Sequence, residues 1–330
     1  MSVLECITRV VADSDLDGLM AAAVLKACKP DVEVIFAHAA LVRSGSLDGI
    51  IDRNTAMCDL PFHPACGLYL DHHMTNRPTP EQEAEFTAEG GICHWRDTPS
   101  AARAAFELMR TDVDLSHLEE IMPMVDALDS GGISFDVFME DPPILRLSRS
   151  LSLREPEHLQ VVLAQFATGM LVDDILSFHS KRLDELGDQR SIQTMHVKQN
   201  TVITDGLAIC DLSNSGIRTN GYLVTALAGD EAIACCVIHG WDDGSIDDPS
   251  RPALGASFYA NSFRGEENPY DLSKLATLLD ETGGGHANAC GCRIQPADST
   301  GRKIQTGDKE HNLAKWQDLW SRRQTEMLRD

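Results

Sequence analysis

Carboxylates and imidazoles recur in this chain directly after short apolar runs, where they could gather around a hard cation. Asp13, Asp15 and Asp17 alternate over five residues and are followed by Gly18. Like charges so close repel one another, and clusters of oxygen donors suit divalent metals such as Mg²⁺ and Mn²⁺. A calcium-binding EF-hand loop begins in the same way, but it needs Glu at its twelfth position. Val24 stands there, which rejects that reading. Asp59 follows the apolar Ala56, Met57 and Cys58, and Asp71, His72 and His73 follow Leu68, Tyr69 and Leu70. Imidazole ligates transition metals, and a neighbouring carboxylate can orient it. Asp126 and Asp129 stand just before the turn signal Ser130-Gly131. An isolated Asp at a strand end most often caps a turn, and a His pair often lies in a surface loop. Four such sites following one set of strands are harder to explain in that way.

The elements that must position these groups alternate. Residues 6–11, 32–36, 55–58 and 67–70 read as strands. Between and after them, residues 19–28, closed by Lys29 and Pro30, and 99–109, capped by Thr98, read as helices. Alternating strand and helix predicts an α/β domain with a parallel sheet and helices on both faces, with ligands at the carboxyl ends of the strands. Residues 155–195 are helical in pattern, and 186–195 is expected to connect two domains, 1–185 and 196–330. Strands return at 197–203, 207–211, 232–239, 253–259 and 292–294, so the smaller second domain is α/β with a mixed sheet. Leu313, Trp316, Trp320 and Met327 form one stripe of a C-terminal helix, which predicts core packing or a subunit contact.

The 330 residues suit two domains and carry 28 basic against 51 acidic side chains, a net charge of −23. A groove for long nucleic acid would lean basic, so a long duplex partner is disfavoured. A small anionic substrate stays open if a local site or a metal supplies positive charge. No apolar run approaches a membrane span, and no signal peptide is expected. The ten cysteines, Cys6, Cys58, Cys210, Cys235 and Cys236 among them, sit mostly in apolar runs, as buried free thiols of a cytoplasmic protein would. Cys290 and Cys292 lack a second pair for zinc. The chain has neither a P-loop nor a strand-linked GxGxxG motif. Trp241, Asp242, Asp243, Gly244, Ser245, Ile246, Asp247 and Asp248 read as a solvated acidic loop. Arg218, in a turn-rich segment, is a candidate phosphate contact.

Together, Asp13-Ser14-Asp15-Leu16-Asp17-Gly18, Asp59, Asp71-His72-His73 and Asp129 resemble the four successive motifs of the DHH phosphoesterase superfamily. Thr282-Gly283-Gly284-Gly285-His286 through Gly291 resembles the glycine–histidine signature of its DHH-associated domain. The resemblance covers residues 5 to about 295. It implies a metal-binding parallel-sheet domain followed by a smaller domain closing over a cleft, and a hydrolase that uses Mn²⁺ at two sites, with Mg²⁺ or Co²⁺ as substitutes. By that resemblance Asp15 and Asp17 are metal ligands, Asp59 bridges two metals and takes part in catalysis, and His72 is a ligand. Asp129 completes the second metal, with Asp126 in reserve. His73 is expected at the substrate phosphate and in catalysis. Gly283, Gly284 and Gly285 suit close backbone approach to a phosphate, and His286 would bind or protonate it.

One departure concerns the first metal. Many DHH enzymes carry a His four residues before the first Asp of the Asp-x-Asp pair, where this chain has Val11. Others carry it two residues before, where Asp13 stands. Asp13 is therefore expected either as a substitute ligand or as the cap of the following turn. The leading expectation is a phosphoesterase acting on short oligonucleotides or small nucleotides. An exopolyphosphatase or pyrophosphatase, and a non-catalytic nucleotide- or metal-binding relative, are the alternatives. The oligomeric state is left open, a homodimer among the options.

Overall fold

The computed structural model describes residues 3–245, 250–265, 268–295 and 307–329. It divides into two compact units, 1–187 and 188–330.

The first unit is built on a five-stranded parallel sheet: β1 (Arg9–Asp13), β2 (Glu33–Ala37), β3 (Thr55–Cys58), β4 (Leu68–Asp71) and β5 (Ile92–Trp95), in the order β2-β1-β3-β4-β5. Side chains alternate between the faces of a strand, and the two cores follow that alternation. Val10, Ala12, Ala56, Cys58, Leu68 and Leu70 enter one core. Val11, Met57 and Tyr69 enter the opposite one with Val42 and Phe86. The first core is covered by α1 (Leu16–Cys28), α2 (Ala101–Met109), α3 (Met122–Asp129) and α4 (Pro156–Ala167). Helices Ala39–Arg43 and Pro80–Ala88 supply Val42 and Phe86 to the second. Burial on both faces explains why these strands read as continuous apolar runs. Strand order reverses between β1 and β3, which opens a crevice at their carboxyl ends.

Several boundaries differ from the sequence reading, each for a local reason. The first strand runs over 9–13 rather than 6–11, because 4–7 close a turn through Ile7 N to Leu4 O. Cys6, in that turn, is exposed rather than buried; all ten cysteines are free. Helix α1 starts at Leu16, three residues early, because the Asp15 side chain accepts from Gly18 N and caps it. Gly18 is required there: a Cβ would lie 2.4 Å from Asp13 O. Helix α2 is capped by Ser100, not Thr98. Strand β5 escaped notice because Ile92, Cys93, His94 and Trp95 show no apolar alternation.

Helix α5 (Ser180–Gln199) includes residues 186–195 and runs on through Val197, so the strand expected at 197–203 is shorter, β6 (Thr201–Thr204). The second unit adds β7 (Leu207–Asp211), β8 (Ala234–His239), β9 (Gly255–Ala260), β10 (Gly284–His286) and β11 (Ala289–Arg293) in a mixed sheet ordered β10-β11-β9-β8-β7-β6. Only β7 and β8 pair in parallel among these strands. Asp205 and Gly206, both with positive φ, form the two-residue turn between β6 and β7. Helix α6 (Gly221–Ala228) precedes β8, and α7 (Lys309–Ser321) follows the sheet. From the expected C-terminal stripe, Trp316, Trp320 and Met327 are buried in this unit's core, with Leu313 packed against it. Of the acidic loop, 246–248 lie outside the described residues. Among the described residues no helix is long and apolar enough to cross a membrane.

Ser100 is fully buried and ties two helices together. Its hydroxyl accepts from Arg103 N and donates to Asp126 Oδ1 of α3, 2.7 Å away. Ser100→Ala is expected to lower unfolding free energy by about 1–2 kcal/mol. Denaturant titration checks this, and an unshifted midpoint would contradict the capping role.

Candidate metal centre

At the carboxyl edge of the parallel sheet the chain turns sharply after β3. Asp59 leaves β3 with φ of +58°, a left-handed conformation uncommon for a residue with a side chain. Its N–H is tied to Leu70 O, 3.0 Å away on the neighbouring strand. Backbone strain of this kind persists where surroundings over-determine it. Its effect here is to turn the Asp59 carboxylate toward His72 and His73.

His72 collects the other side chains. Its Nε2 lies 3.0 Å from Asp129 Oδ2, 3.7 Å from Asp17 Oδ2 and 3.9 Å from Asp59 Oδ1. Its Nδ1 donates to Thr98 O at 3.0 Å, which leaves Nε2 facing the carboxylates. With the ring neutral and its proton on Nδ1, Nε2 is itself an acceptor and makes no hydrogen bond to the Asp129 carboxylate. Nε2 of His72 and Oδ1 of Asp59 are therefore buried polar atoms with no hydrogen-bond partner. Buried polar groups are normally paired, and two orphans converging with acceptor oxygens fit a cation between them. Asp17, His72 and Asp129 each offer a ligand atom within 4.8 Å of the others, as do Asp59, Asp71, His72 and His73.

Asp17 is held from behind by a helix terminus. Its Oδ2 and Oδ1 accept from Ala101 N and Ala102 N of α2, at 2.8 and 2.7 Å. The amino end of a helix favours negative charge, and Oδ2 still lies 3.7 Å from His72 Nε2. Asp15 caps α1 and adds its charge to Asp17 and Asp59. Asp13 turns back onto its own chain, Oδ1 accepting from Ser14 N at 2.5 Å. Neither Asp13 nor Asp15 is in the two close groups. Asp126, the reserve candidate, is taken by Ser100 and by Arg103 at 2.5 Å, outside the centre. His73 donates from Nδ1 to Asp71 Oδ1 at 3.1 Å.

The remaining expected residues lie in the second unit. Arg218 and His286 are exposed. Gly283 and Gly285 leave no room for side chains, because a Cβ would meet Ala276 O at 2.5 Å and Ala289 O at 2.6 Å. Gly284 alone of the three faces open space. Two of the three glycines thus serve packing of this chain's own backbone. The sequence reading missed Asp280, whose oxygens accept from Thr282 N and Arg293 N and fix this loop. An acid two residues before Thr was its only sequence signal.

Burial pushes the Asp17 carboxyl up to about 8, helped by the charges of Asp129 and Asp15. Burial and the same neighbours, with Asp17, raise Asp59 well above the carboxylate range. Burial alone would lower His72, but Asp129 beside it and the charge of Asp17 push it up to about 9.

A pGpG-specific phosphodiesterase, PggH from Vibrio cholerae, aligns with 96% of this chain and 99% of its own at a TM-score of 0.71 and 18% identity. The chain shares that protein's fold. The layout expected from the sequence, a parallel-sheet unit followed by a mixed-sheet unit, is therefore the layout found. RecJ from Thermus thermophilus, in complex with Mn²⁺, aligns at 13% identity over 95% of this chain and 52% of its own, with a TM-score of 0.43. An uncharacterized protein from Helicobacter pylori aligns at 13% identity over 95% and 98%, with a TM-score of 0.35. Neither score is high enough to bear on the fold. No family model matches the sequence, and no curated protein does so significantly.

The raised carboxyls make the cation-free protein's stability depend on pH. Between the ordinary carboxylate range and about 8, the folded state holds protons that the unfolded chain releases, so stability falls as pH rises. Raised His72 acts in the same direction, its contribution being lost as pH climbs through about 9. With chelator present, the melting temperature should decline from pH 6 to pH 9. Added Mn²⁺ should raise it more at pH 8 than at pH 6, since ligands must shed protons. A pH-independent Mn²⁺ shift in scanning calorimetry would contradict this.

Proposed function

We propose that this chain is a metal-dependent phosphoesterase of the DHH superfamily. It hydrolyses phosphodiester or phosphomonoester bonds of short oligonucleotides or small nucleotides. The observation that carries the reading is the pair of buried orphan atoms, Asp59 Oδ1 and His72 Nε2, among Asp17 and Asp129 at the sheet's carboxyl edge. The fold shared with a pGpG-specific phosphodiesterase supports it, and brings linear dinucleotides into the substrate class. Ten free cysteines suit a reducing compartment, and we place the protein in the cytoplasm.

Mn²⁺ is the proposed cofactor, at two sites. When bound, it would supply Lewis acidity and lower the pKa of a coordinated water. Asp17, Asp59, His72 and Asp129 would hold one ion, and Asp15 and Asp59 the other. His72 keeps its ligating nitrogen free because Thr98 O takes the proton-bearing one. Asp59 acts in catalysis through its place between both sites. His73, its Nδ1–H held by Asp71, presents Nε2 to the substrate phosphate. Gly284, His286 and Arg218 are proposed substrate contacts, with Gly283 and Gly285 shaping their loop.

Two variants separate this reading from a merely structural cluster. Asp59→Asn, which keeps a residue tolerant of the left-handed backbone, should lose at least about a hundredfold in kcat on a panel of pApA, pGpG, pAp, a five-nucleotide RNA and polyphosphate. Asp126→Ala should retain turnover and lose stability, because its partners are Ser100 and Arg103. Comparable activity of Asp59→Asn and the parent at saturating Mn²⁺ would overturn the assignment. Turnover of polyphosphate alone would move the substrate class away from nucleotides.

The two sites should differ in affinity. Val11 is buried in the core on the other face of the sheet, and the Asp13 carboxylate is spent on Ser14 N. The site built on Asp15 and Asp59 therefore has fewer ligands of its own and should fill mainly when substrate oxygens join it. Calorimetric Mn²⁺ titration, with and without a non-hydrolysable analogue, should give one tight site alone and two with the analogue. Two equally tight sites in the free protein, unchanged in Asp13→Ala, would refute the asymmetry.

A further inference from the structure

We propose that Tyr69 is a positioning residue for His73, acting through Asp71, a role that rests on the catalytic reading of His73 above. Tyr69 lies on β4 and is fully buried on the sheet face opposite α1. Its hydroxyl stands 2.7 Å from Asp71 Oδ2. Asp71 is itself fully buried. Its other oxygen, Oδ1, accepts from His73 Nδ1 at 3.1 Å and lies 3.4 Å from His73 N. A linear chain of contacts thus runs from Tyr69 through both carboxylate oxygens to the imidazole.

A carboxylate with no exposure is costly unless its lone pairs are used. Here each oxygen has its own donor, and the two donors point in different directions. With the Tyr69 hydroxyl in place, only one orientation of Asp71 satisfies both. That orientation directs Oδ1 at Nδ1 of His73, fixes the proton there, and leaves Nε2 as the nitrogen available to a phosphate oxygen.

The same hydroxyl lies 3.1 Å from Leu60 O and 3.1 Å from Asn76 O. Leu60 directly follows the strained Asp59, and Asn76 ends the short turn after His73. One phenol therefore sits where the loop bearing Asp59 meets the loop bearing His73. Its single hydrogen goes to the shortest and only charged acceptor, Asp71. Leu60 O and Asn76 O bound the pocket that keeps it aimed. A phenylalanine would fill the same volume while leaving Asp71 Oδ2 without its donor. The side chain is thus needed for its oxygen and not only for its bulk.

The decisive variant is Tyr69→Phe, read in two ways. In the metal-free protein, at a pH high enough to keep the ring neutral, since the Asp71 hydrogen bond raises His73 above its ordinary range, ¹⁵N NMR of the His73 ring should show Nδ1–H as the dominant tautomer in the parent and a mixed population in the variant. This readout needs no turnover, so it stands even if the panel above shows no hydrolysis, an outcome that would count against the catalytic reading alone. In the Mn²⁺-loaded enzyme, kcat should fall about tenfold, a part of the 10²–10⁴ that a positioned acid or base supplies. KM and Mn²⁺ affinity should stay within about twofold. Asp71→Asn interrupts the same chain from the other side, and adding Tyr69→Phe to it should cost little more. An unchanged His73 tautomer in Tyr69→Phe, or full additivity of the two changes in kcat, would overturn the proposal. If Tyr69→Phe fails to fold, the tautomer in Asp71→Asn decides instead, because a hydroxyl that donates to the amide oxygen turns the amide NH2 toward His73 Nδ1. A parent-like Nδ1–H signal there would refute the relay.

Discussion

Repulsion among buried carboxylates is the constraint around which the first unit is built. Burial raises both Asp59 and Asp17 most; Asp17, Asp15 and Asp129 add to the rise of Asp59, and Asp129 and Asp15 to that of Asp17. Two unit charges 4 Å apart interact by about 4 kcal/mol at an effective dielectric near 20, so several such contacts would be a large fraction of a domain's stability. The fold offsets part of this with its own dipoles and cations. The amino end of α2 faces Asp17, His72 faces Asp129, and Arg103 removes Asp126 from the cluster altogether. What is left over is two orphaned atoms and three ionisable groups pushed toward or beyond neutrality. A divalent cation would settle all of them at once, and nothing else in the described residues is placed to do so.

The sheet supplies the geometry that makes such crowding reachable. Parallel strands deliver consecutive chain ends to one edge, and the order β2-β1-β3-β4-β5 puts the reversal between β1 and β3. Asp13 ends β1, Asp59 follows β3, and Asp71 with His72 follows from β4. Residues far apart in sequence meet because their strands are neighbours. The left-handed turn at Asp59 and the close contact at Gly18 are local costs of aiming short side chains inward over so short a span.

Much of this was legible in the sequence because metal ligands announce themselves by type and because buried parallel strands are continuous apolar runs. Asp17, Asp59, His72 and Asp129 were visible as polar residues at the ends of such runs or beside a turn signal, and they come together in space. Their partners were not visible. Ser100 looks like any serine, and its double role as cap and as donor to Asp126 depends on where α3 packs. Thr98 contributes a backbone carbonyl, which has no sequence signature. Tyr69 looked like one more apolar strand residue, since a phenol and a benzyl group fill a core alike. The register of β10 and β11 was equally hidden, because the Gly-Gly-Gly run has no side chains whose alternation could be read. What a sequence shows is chemistry carried by side-chain type; what it hides is chemistry that arises from backbone groups and from packing.

The net charge of −23 adds a last consequence. An anionic phosphate approaching the first unit would meet an acidic surface, and Arg103 beside the centre is already engaged by Asp126. On the proposed function, positive potential at this edge would therefore come from a cation held by the carboxylates. Two ligands that meet only through such a site are thermodynamically linked, and each strengthens binding of the other by the same factor. On the proposed reading, a phosphate would offer the cation oxygen ligands that this chain withholds at Val11 and Asp13, and the cation would offer the phosphate the charge that the surface withholds. Acidity of the whole chain, which argues against long nucleic acid, would on the proposed function favour a small substrate able to enter the centre and share a metal held there. A long polyanion would have to lie along a surface that repels it over most of its length, whereas a short one meets that field only briefly before reaching the one place where its sign is reversed.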